Sequence, residues 1–216
     1  WSSDVCSSDL LAFWKIQDIL AFLMIPPVDH LVFFSPVEAF MEYCKLAFFT
    51  GLIVASPVVL FQLWSFVSPG LTGRERGAFL AAMPFSATLF LGGAAFAFFA
   101  VLPWALKFLI NFPGPEVVPV ISISKYLSFV IMLLLVFGIV FELPVAVFLL
   151  SKLGIISPQF LSGNRKYAIL AIFVAAAVLT PTPDAFTQVM MAVPLIVLYE
   201  ISIWICRFTY KKEHAK

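Results

Sequence analysis

Long apolar segments constrain this sequence more than any other feature. A helix needs about 20 apolar residues to cross roughly 30 Å of hydrocarbon. Five segments approach or exceed that length, at 43–67, 78–102, 126–150, 167–181 and 186–206. Because lipid offers the backbone no hydrogen bonds, such segments fold as helices that satisfy their own N–H and C=O groups. The sequence therefore predicts an all-α polytopic membrane protein with five transmembrane helices, of which the fourth is short, at about 22 Å.

The composition agrees with a lipid environment. Apolar residues make up 62% of the 216 residues and charged residues 12%, whereas soluble domains have about 45–50% and about 25%. The formal net charge of +1 excludes nucleic acid as a bulk electrostatic partner. The three cysteines lie far apart and only two histidines occur, so the sequence encodes neither a metal site nor a disulfide framework.

Basic residues indicate which ends of the spans face the cytoplasm. Nine of the 13 lysines and arginines lie in two loops and in the carboxyl-terminal tail, and short loops rich in these residues stay inside. The tail, residues 207–216, is therefore predicted to be cytoplasmic. With five spans, this orientation puts the amino-terminal end outside, and we expect that a preceding helix is missing.

The first residues belong to none of the five spans. Residues 1–10 form an anomalous leader in which SSDVC is echoed by SSDL, without the basic start of a signal peptide; one interpretation is non-native sequence. Residues 11–25 are apolar but interrupted by polar residues, and they fit an interfacial amphipathic helix or the end of a lost span. Residues 11–216 are predicted to form a single membrane-embedded domain.

Prolines and loop residues give further expectations. In the second outer loop, 103–125, the stretch Trp104–Phe112 is typical of a short helix anchored at the interface. In the inner loop, Ser157 followed by Pro158 predicts a helix start. Pro57, in the middle of the first span, predicts a kink.

The groups that membrane enzymes need do not occur together in the predicted spans. An intramembrane serine protease needs a serine and a histidine at membrane depth, but His30 and His214 lie outside every span and Ser162 lies in a loop. The sequence also has no GxxxxGK loop to hold a nucleotide phosphate. We therefore expect a protein that is not an enzyme.

Glu142, in the run FGIVFELPV, is the deepest acidic residue of the predicted spans. An acidic side chain at the centre of a transmembrane helix costs on the order of 3 kcal/mol on insertion scales. Pro144 also frees a backbone carbonyl nearby. Glu142 either makes a structural contact between helices or faces a hydrated groove where a partner docks.

Three other polar residues are open to two interpretations from chemistry alone. Asp184, in the run TPTPD, caps the following helix or belongs to a functional hairpin. Gln188 indicates a helix contact, whose partner the sequence does not identify. Glu75, between Arg74 and Arg76, is either a solvated loop charge or a functional carboxylate.

The stretch FQLWSFVSPGLTGRER, from Phe61 to Arg76, resembles a pattern of one family. It fits F-Q-x-W-x-F-x-x-P-x-L-x-x-x-E-R of the TatC family, the multi-span subunit of the twin-arginine protein translocase. The resemblance extends to SPVE before the first span, ASP within it, FGIVFELP, TPTPDAFTQ and VPLIVLYEISI. It covers almost everything after about residue 11.

The resemblance implies six spans with both termini in the cytoplasm, so that the first helix and the amino-terminal His-Leu-x-Glu-Leu-Arg motif are missing here. Glu75 matches the acidic residue that contacts the paired arginines of the signal peptide. This role agrees with chemistry, because a carboxylate accepts two hydrogen bonds from a guanidinium fork. The signal-peptide site is further implied to include Arg76, Phe61, Trp64, Phe66, Pro69 and Leu71.

The resemblance also assigns positions to partner contacts and to the outer cap loops. Positions of the intramembrane polar groove and of partner docking are matched by Glu142, Gln188, Thr180, Pro181 and Asp184. A motif of the first outer loop, expected to hold the cap in shape, is matched by Ser35, Pro36 and Glu38.

The implied function is that of a signal-peptide receptor and scaffold, which exports folded proteins across the cytoplasmic (inner) membrane of a prokaryote. Expected partners are single-span subunits of the TatA and TatB type, twin-arginine signal peptides of folded cargo, other copies of the chain and the lipid bilayer. No cofactor, metal or nucleic acid is expected. The alternative is a secondary transporter or channel for a small solute, with Glu142 as its ion site, but the sequence shows no inverted repeat.

Overall fold

The computed structural model describes residues 16–24, 31–67, 73–112, 120–152, 155–179 and 185–213; at 16–17, 66–67, 73–82, 179 and 210–213 it describes the backbone alone. These residues are almost entirely helical. The α-helices are α1 (Ile16–Leu23), α2 (Pro36–Val67), α3 (Gly73–Phe96), α4 (Leu102–Asn111), α5 (Ile123–Phe141), α6 (Leu143–Lys152), α7 (Pro158–Gly163), α8 (Arg165–Leu179) and α9 (Ala185–Glu213). Across the described ranges no regular strand occurs, and one parallel bridge pairs Val32 with Ser122.

Four stretches are long and apolar enough to cross a membrane: Pro36–Ser65, Met83–Asn111, Ile123–Lys152 and Ala185–Thr209. The five predicted spans correspond to these four and to α8. Because α8 has 15 residues, it rises only about 22 Å, less than the hydrocarbon thickness of a bilayer. The described residues therefore contain four candidate spans and one short apolar helix, where the sequence predicted five spans.

Helix α2 begins seven residues before the predicted span and runs through Pro57. Proline has no N–H for the carbonyl four residues earlier, which here belongs to Ile53. The Ser56 hydroxyl donates to that carbonyl oxygen at 2.6 Å. The side chain thus replaces the lost backbone bond, and the kink expected at Pro57 stays a prediction.

The second span is longer than predicted. Helix α3 continues through a π-helical segment, Ala97–Val101, directly into α4, with Pro103 in the first turn of α4. The short helix expected at Trp104–Phe112 is confirmed by α4, but its placement in the second outer loop is wrong, because these residues extend the second span. A π segment has backbone hydrogen bonds between residues five apart instead of four. Pro103, just after it, has no N–H with which to form the regular bond.

The third span is interrupted at its acidic residue, Glu142. Helix α5 ends at Phe141 and α6 begins at Leu143, so Glu142 occupies the turn between them. The Glu142 N–H donates to Ile139 three residues back, at 3.1 Å. Pro144, at the second position of α6, has no N–H to continue the regular pattern.

The helix start predicted at Ser157 and Pro158 is confirmed. Pro158 is the first residue of α7, and the Ser157 hydroxyl accepts a hydrogen bond from the Phe160 N–H at 3.2 Å. This satisfies one of the backbone donors that a helix leaves open at its amino-terminal end.

Contacts divide the chain into two compact units, Trp1–Ser56 with Ala94–Leu135 and Pro57–Gly93 with Val136–Lys216. In the first unit the core includes Leu46, Leu102 and Leu127, which are at most 1% exposed. Here the Tyr126 hydroxyl donates to the carbonyl of Leu23 at the end of α1, at 2.6 Å, and the Phe22 and Phe98 rings stack at 5.0 Å.

The second unit is built around α9, which packs against α6, α7 and α8. One buried cluster joins Val147 and Leu161 to Ile203 and Cys206. Outside it, many large side chains of α8 and α9 are exposed, among them Leu170, Val174, Val193 and Trp204. In a membrane protein such apolar faces suit contact with lipid.

Candidate functional site

A chain of two hydrogen bonds in the second unit connects three elements at Ser86. The Trp64 indole Nε1 on α2 donates to the Ser86 hydroxyl on α3 at 2.9 Å. The Ser86 hydroxyl donates in turn to Glu142 Oε2 at 2.6 Å. Ser86 is fully buried, so its hydroxyl fixes both neighbours inside the protein.

Apolar side chains surround this chain. Met83, one turn before Ser86, forms a buried cluster with Val145 and Leu149 of α6. The cluster also packs against the half-buried Trp64, Leu89 and Phe148. A hydrogen bond is electrostatically stronger in such surroundings than in water.

The second carboxylate oxygen of Glu142 is in a different situation. Oε1 is buried and has no hydrogen-bond partner among the described residues. A buried acceptor without a partner is costly, because it has lost its water without a replacement. Oε1 keeps its capacity to accept a hydrogen bond, but a donor from outside the chain would reach it only after the atoms that cover it move aside.

Gln188 has its own partner. Its Nε2 donates to the carbonyl oxygen of Phe173 on α8 at 3.0 Å, which confirms the helix contact expected of an amide in a span. The hydrogen bonds of Glu142 and Gln188 thus go to different elements, α3 and α8. Their expected placement in one groove stays a prediction.

The structure describes part of the predicted signal-peptide site. Phe61 is 54% exposed, whereas Trp64 is half-buried and bound to Ser86. Glu75 is the third residue of α3. The side chains of Phe66, Glu75 and Arg76, and all of Pro69 and Leu71, lie outside the described residues.

The structure describes only some of the residues predicted to lie near the outer surface. Thr180, Pro181 and Asp184 lie outside the described residues. Ser35 and Glu38 are described: the Ser35 carbonyl accepts from the Glu38 N–H at 3.1 Å. Pro36 is the first residue of α2, the position where proline is tolerated because its missing N–H would have no helical partner.

The Glu38 carboxylate ties two loop segments to α2. Its Oε2 accepts from the Phe34 N–H at 2.9 Å and its Oε1 from the Ser122 hydroxyl at 3.0 Å. The backbone bridge reinforces this contact: the Val32 N–H donates to Ile121 and the Ile123 N–H donates to Val32, both at 3.0 Å.

Sequence reasoning missed a second carboxylate on the same helix. Glu42 is 5% exposed, and its Oε1 accepts from Lys45 Nζ at 2.8 Å and from the Ser124 hydroxyl at 2.9 Å. Lys45 also donates to Ser128 at 3.1 Å. An acidic and a basic residue three positions apart beside an apolar segment would have indicated such a pair.

Two chemical features complete the description. No group of three metal-ligating side chains occurs in the described ranges. Arg165 and Glu200 form an ion pair between α8 and α9, with Nη2 and Oε2 3.0 Å apart and both side chains about two-fifths exposed. A pair so exposed contributes little to stability.

Comparisons with known proteins agree with one another. A family model described as Sec-independent protein translocase protein (TatC) matches residues 6–194. The Sec-independent protein translocase protein TatC of Carboxydothermus hydrogenoformans is 51% identical over 206 residues, which cover 94% of this chain and 85% of the relative. The protein of the same name from Aquifex aeolicus is 40% identical, with 94% and 87% covered.

A solved structure resembles the whole described fold. A crystal structure of the "Twin Arginine Translocase Receptor- TatC" superposes with a TM-score of 0.85 at 38% identity. The superposition covers 95% of this chain and 92% of that chain.

Proposed function

Since the chain belongs to the TatC family of Sec-independent protein translocase components, we propose that it is the signal-peptide receptor and scaffold subunit of a twin-arginine translocase. It binds the twin-arginine signal of a folded cargo protein at the cytoplasmic face and recruits single-span subunits of the TatA and TatB type. Other copies of the chain are further partners. Its membrane is the cytoplasmic membrane of a prokaryote, with the carboxyl terminus inside, as the distribution of basic residues favours.

The observation that best supports a docking role is the asymmetric Glu142 carboxylate. Ser86 holds Oε2 at 2.6 Å, while Oε1 is buried without a partner in the described part of the chain. A donor side chain on a partner helix would satisfy Oε1 once the atoms that cover this oxygen move aside. Interhelical hydrogen bonds in membranes contribute about 0.6 to 2 kcal/mol, which makes the docking reversible.

The proposed signal-peptide site rests on sequence position and chemistry. Glu75 lies in the first turn of α3, close in sequence to residues 68–72, which connect α2 to α3. A carboxylate accepts both N–H groups of a guanidinium fork, a geometry that a lysine ammonium does not offer. An exposed pair contributes about 0.2 to 1 kcal/mol, so the apolar part of the signal must add contacts with the spans.

Charge reversal at Glu75 tests the receptor role. We expect Glu75→Lys to abolish crosslinking of a twin-arginine signal peptide in reconstituted membranes, because a cation then faces the paired guanidinium groups. Glu213→Lys is the matched control, since it makes the same charge change in the predicted cytoplasmic tail. Glu75→Asp should retain most of the crosslinking.

Two results would contradict this role. One is crosslinking by Glu75→Lys at the level of the unchanged protein. The other is equal crosslinking of twin-arginine and twin-lysine peptides by the unchanged protein, because a bidentate carboxylate site discriminates between these cations.

A further inference from the structure

Two glycines lie at a close contact between α3 and α5. A Cβ atom built on Gly93 would lie 2.6 Å from Phe141 Cγ and 2.8 Å from the backbone oxygen of Phe137. A Cβ atom built on Gly138 would lie 2.8 Å from Cε2 of the Phe90 ring. Real Cβ atoms essentially never approach other atoms below 3.0 Å, so neither position accommodates even alanine without a shift.

The contact is reciprocal and continues to the candidate site. Phe90 of α3 covers Gly138, and Phe141 of α5 covers Gly93. Ser86 is one turn before Phe90 on α3, and Glu142 is one turn after Gly138 on the third span, so the hydrogen bond between them lies next to the contact of Phe90 with Gly138. We call Ser86, Phe90, Gly93, Phe137, Gly138, Phe141 and Glu142 the glycine seam.

Distances show how sensitive the hydrogen bond is to helix separation. Ordinary van der Waals contact of a Cβ atom begins at 3.4 Å, so alanine at position 93 requires a separation of roughly 0.8 Å beyond the 2.6 Å contact. The same displacement would lengthen the bond between Ser86 and Glu142 from 2.6 Å to roughly 3.4 Å, beyond the usual range for O–H···O bonds.

We propose that Gly93 and Gly138 are positioning residues, which let α3 and α5 approach closely enough for Ser86 to hold Glu142 Oε2. The other oxygen, Oε1, keeps its capacity to accept a hydrogen bond from a partner helix that displaces the atoms covering it. This inference rests on the proposed docking role of Glu142. It adds the residues that set the position of the carboxylate but touch no partner themselves.

Gly92 provides a matched control. It neighbours Gly93 on α3, and a Cβ atom there would meet nothing within 4 Å among the described residues. Gly92→Ala makes the same chemical change with the same gain in helix propensity, but it leaves the seam intact.

The first measurement reports on geometry alone. The chain is reconstituted in lipid bilayers, and the infrared carboxyl band of Glu142 is identified by its loss in Glu142→Gln. We expect Gly93→Ala and Gly138→Ala to shift this band, because the Ser86 hydrogen bond is lost, whereas Gly92→Ala leaves it in place. An unshifted band in both Gly93→Ala and Gly138→Ala would overturn the inference.

The two glycines should differ in their response to a second substitution. The atoms nearest to a Cβ at Gly138 all belong to the Phe90 ring, whereas a Cβ at Gly93 also meets the Phe137 backbone. We therefore expect Phe90→Leu to restore the band in Gly138→Ala, but Phe141→Leu not to restore it in Gly93→Ala. If Phe90→Leu does not restore the band in Gly138→Ala, the inference is overturned. The test at Gly138 therefore remains decisive even if Gly93→Ala folds poorly.

The second measurement tests the functional consequence separately. Crosslinking of a TatA- or TatB-type helix beside Glu142 should fall about tenfold in Gly93→Ala, the factor that corresponds to one lost charge-assisted hydrogen bond, and stay unchanged in Gly92→Ala. Undiminished crosslinking by Glu142→Gln would contradict the proposed docking role. The infrared band of Glu142 would still show whether Gly93 and Gly138 position its carboxylate. A shifted band with undiminished crosslinking in Gly93→Ala would overturn the link between the two.

Discussion

Each compact unit contains one helix contact that is stabilised in a different way. The first unit has a network of side-chain hydrogen bonds between α2 and the start of α5, which we call the polar seam: Glu38, Glu42, Lys45, Ser122, Ser124 and Ser128. The second unit has the glycine seam, in which close packing supports the hydrogen bond between Ser86 and Glu142. The polar seam depends on several hydrogen bonds, and the glycine seam depends on close packing.

Redundancy distinguishes the polar seam. Glu38 accepts from the Phe34 backbone and from Ser122, and Glu42 Oε1 accepts from both Lys45 and Ser124. Removing one serine leaves each carboxylate with a partner. The first unit should therefore tolerate the loss of any one of these hydroxyls.

The glycine seam has no such reserve among the described residues. Ser86 is the donor to Glu142, and the other carboxylate oxygen is buried without a partner. Glu42 Oε2 in the polar seam is also buried without a hydrogen-bond partner among the described residues. The seams therefore differ in the number of donors to the other carboxylate oxygen, which are two for Glu42 Oε1 and one for Glu142 Oε2.

The largest effect is expected at Ser86. Ser86→Ala removes the donor to Glu142 and the acceptor for Trp64, and both groups are then left without that bond in a buried site. We expect the free energy of unfolding to fall by about 3 kcal/mol, at the upper end of the cost of an unsatisfied buried group. Detergent-induced unfolding in mixed micelles measures this change.

Thr88→Val is the control for that substitution. Thr88 is exposed, and its hydroxyl donates to Phe85 in its own helix at 2.8 Å. We expect a change within about 0.5 kcal/mol. If Ser86→Ala costs no more than Thr88→Val, the glycine seam does not depend on the hydrogen bond between Ser86 and Glu142, and the contrast between the seams is wrong.

An intermediate effect is expected at the ion pair of the polar seam. Glu42→Gln keeps an oxygen that accepts from Ser124 but removes the charge beside Lys45. Breaking a buried pair costs about 3–5 kcal/mol, yet the Lys45 side chain is 39% exposed and keeps its bond to Ser128. We therefore expect a loss of about 1–2 kcal/mol, measured in the same micelles.

Lys45→Met sharpens this prediction. It should also destabilise the protein, because the Glu42 side chain is only 7% exposed. Its carboxylate then has the Ser124 hydroxyl as its remaining donor among the described residues. The double variant Glu42→Gln, Lys45→Met should cost less than the sum of the two single variants. A strictly additive result would show that the two charges do not interact.

Apolar length was enough to predict the helices, whereas their ends depend on distant residues. The start of α2 was placed at residue 43, but the helix begins at Pro36. Glu38 and Glu42 lower the local hydropathy of this first part. Ser122 and Ser124 satisfy those carboxylates, and no local pattern shows contacts between residues more than 80 positions apart.

The candidate site was predictable in its acidic residue and not in its surroundings. Glu142 stood out because a carboxylate is costly at membrane depth. Ser86 did not, since serine is common in transmembrane helices. Gly92 and Gly93 are identical in sequence terms, and only the packing shows that Gly93 faces α5.

Glu200 shows the same limit at another helix contact. We would expect a long acidic side chain near the end of a span to extend towards the interface. In the structure it pairs with Arg165 at the start of α8. The attraction between opposite charges was foreseeable, but the proximity of these two helices was not.

The smallest effect, and the most specific test of redundancy, is expected at Ser124. Ser124→Ala should cost only about 0.6 kcal/mol, the average for a hydrogen bond in a membrane, because Lys45 still donates to Glu42 Oε1 at 2.8 Å. Combined with Lys45→Met, the loss should exceed the sum of the single losses, since the described residues then offer Glu42 no donor. Combined with Ser122→Ala, which affects Glu38, the losses should simply add. Equal coupling in both combinations would mean that the polar seam acts as one cooperative unit, and its resistance to single losses would then need another cause than alternative donors.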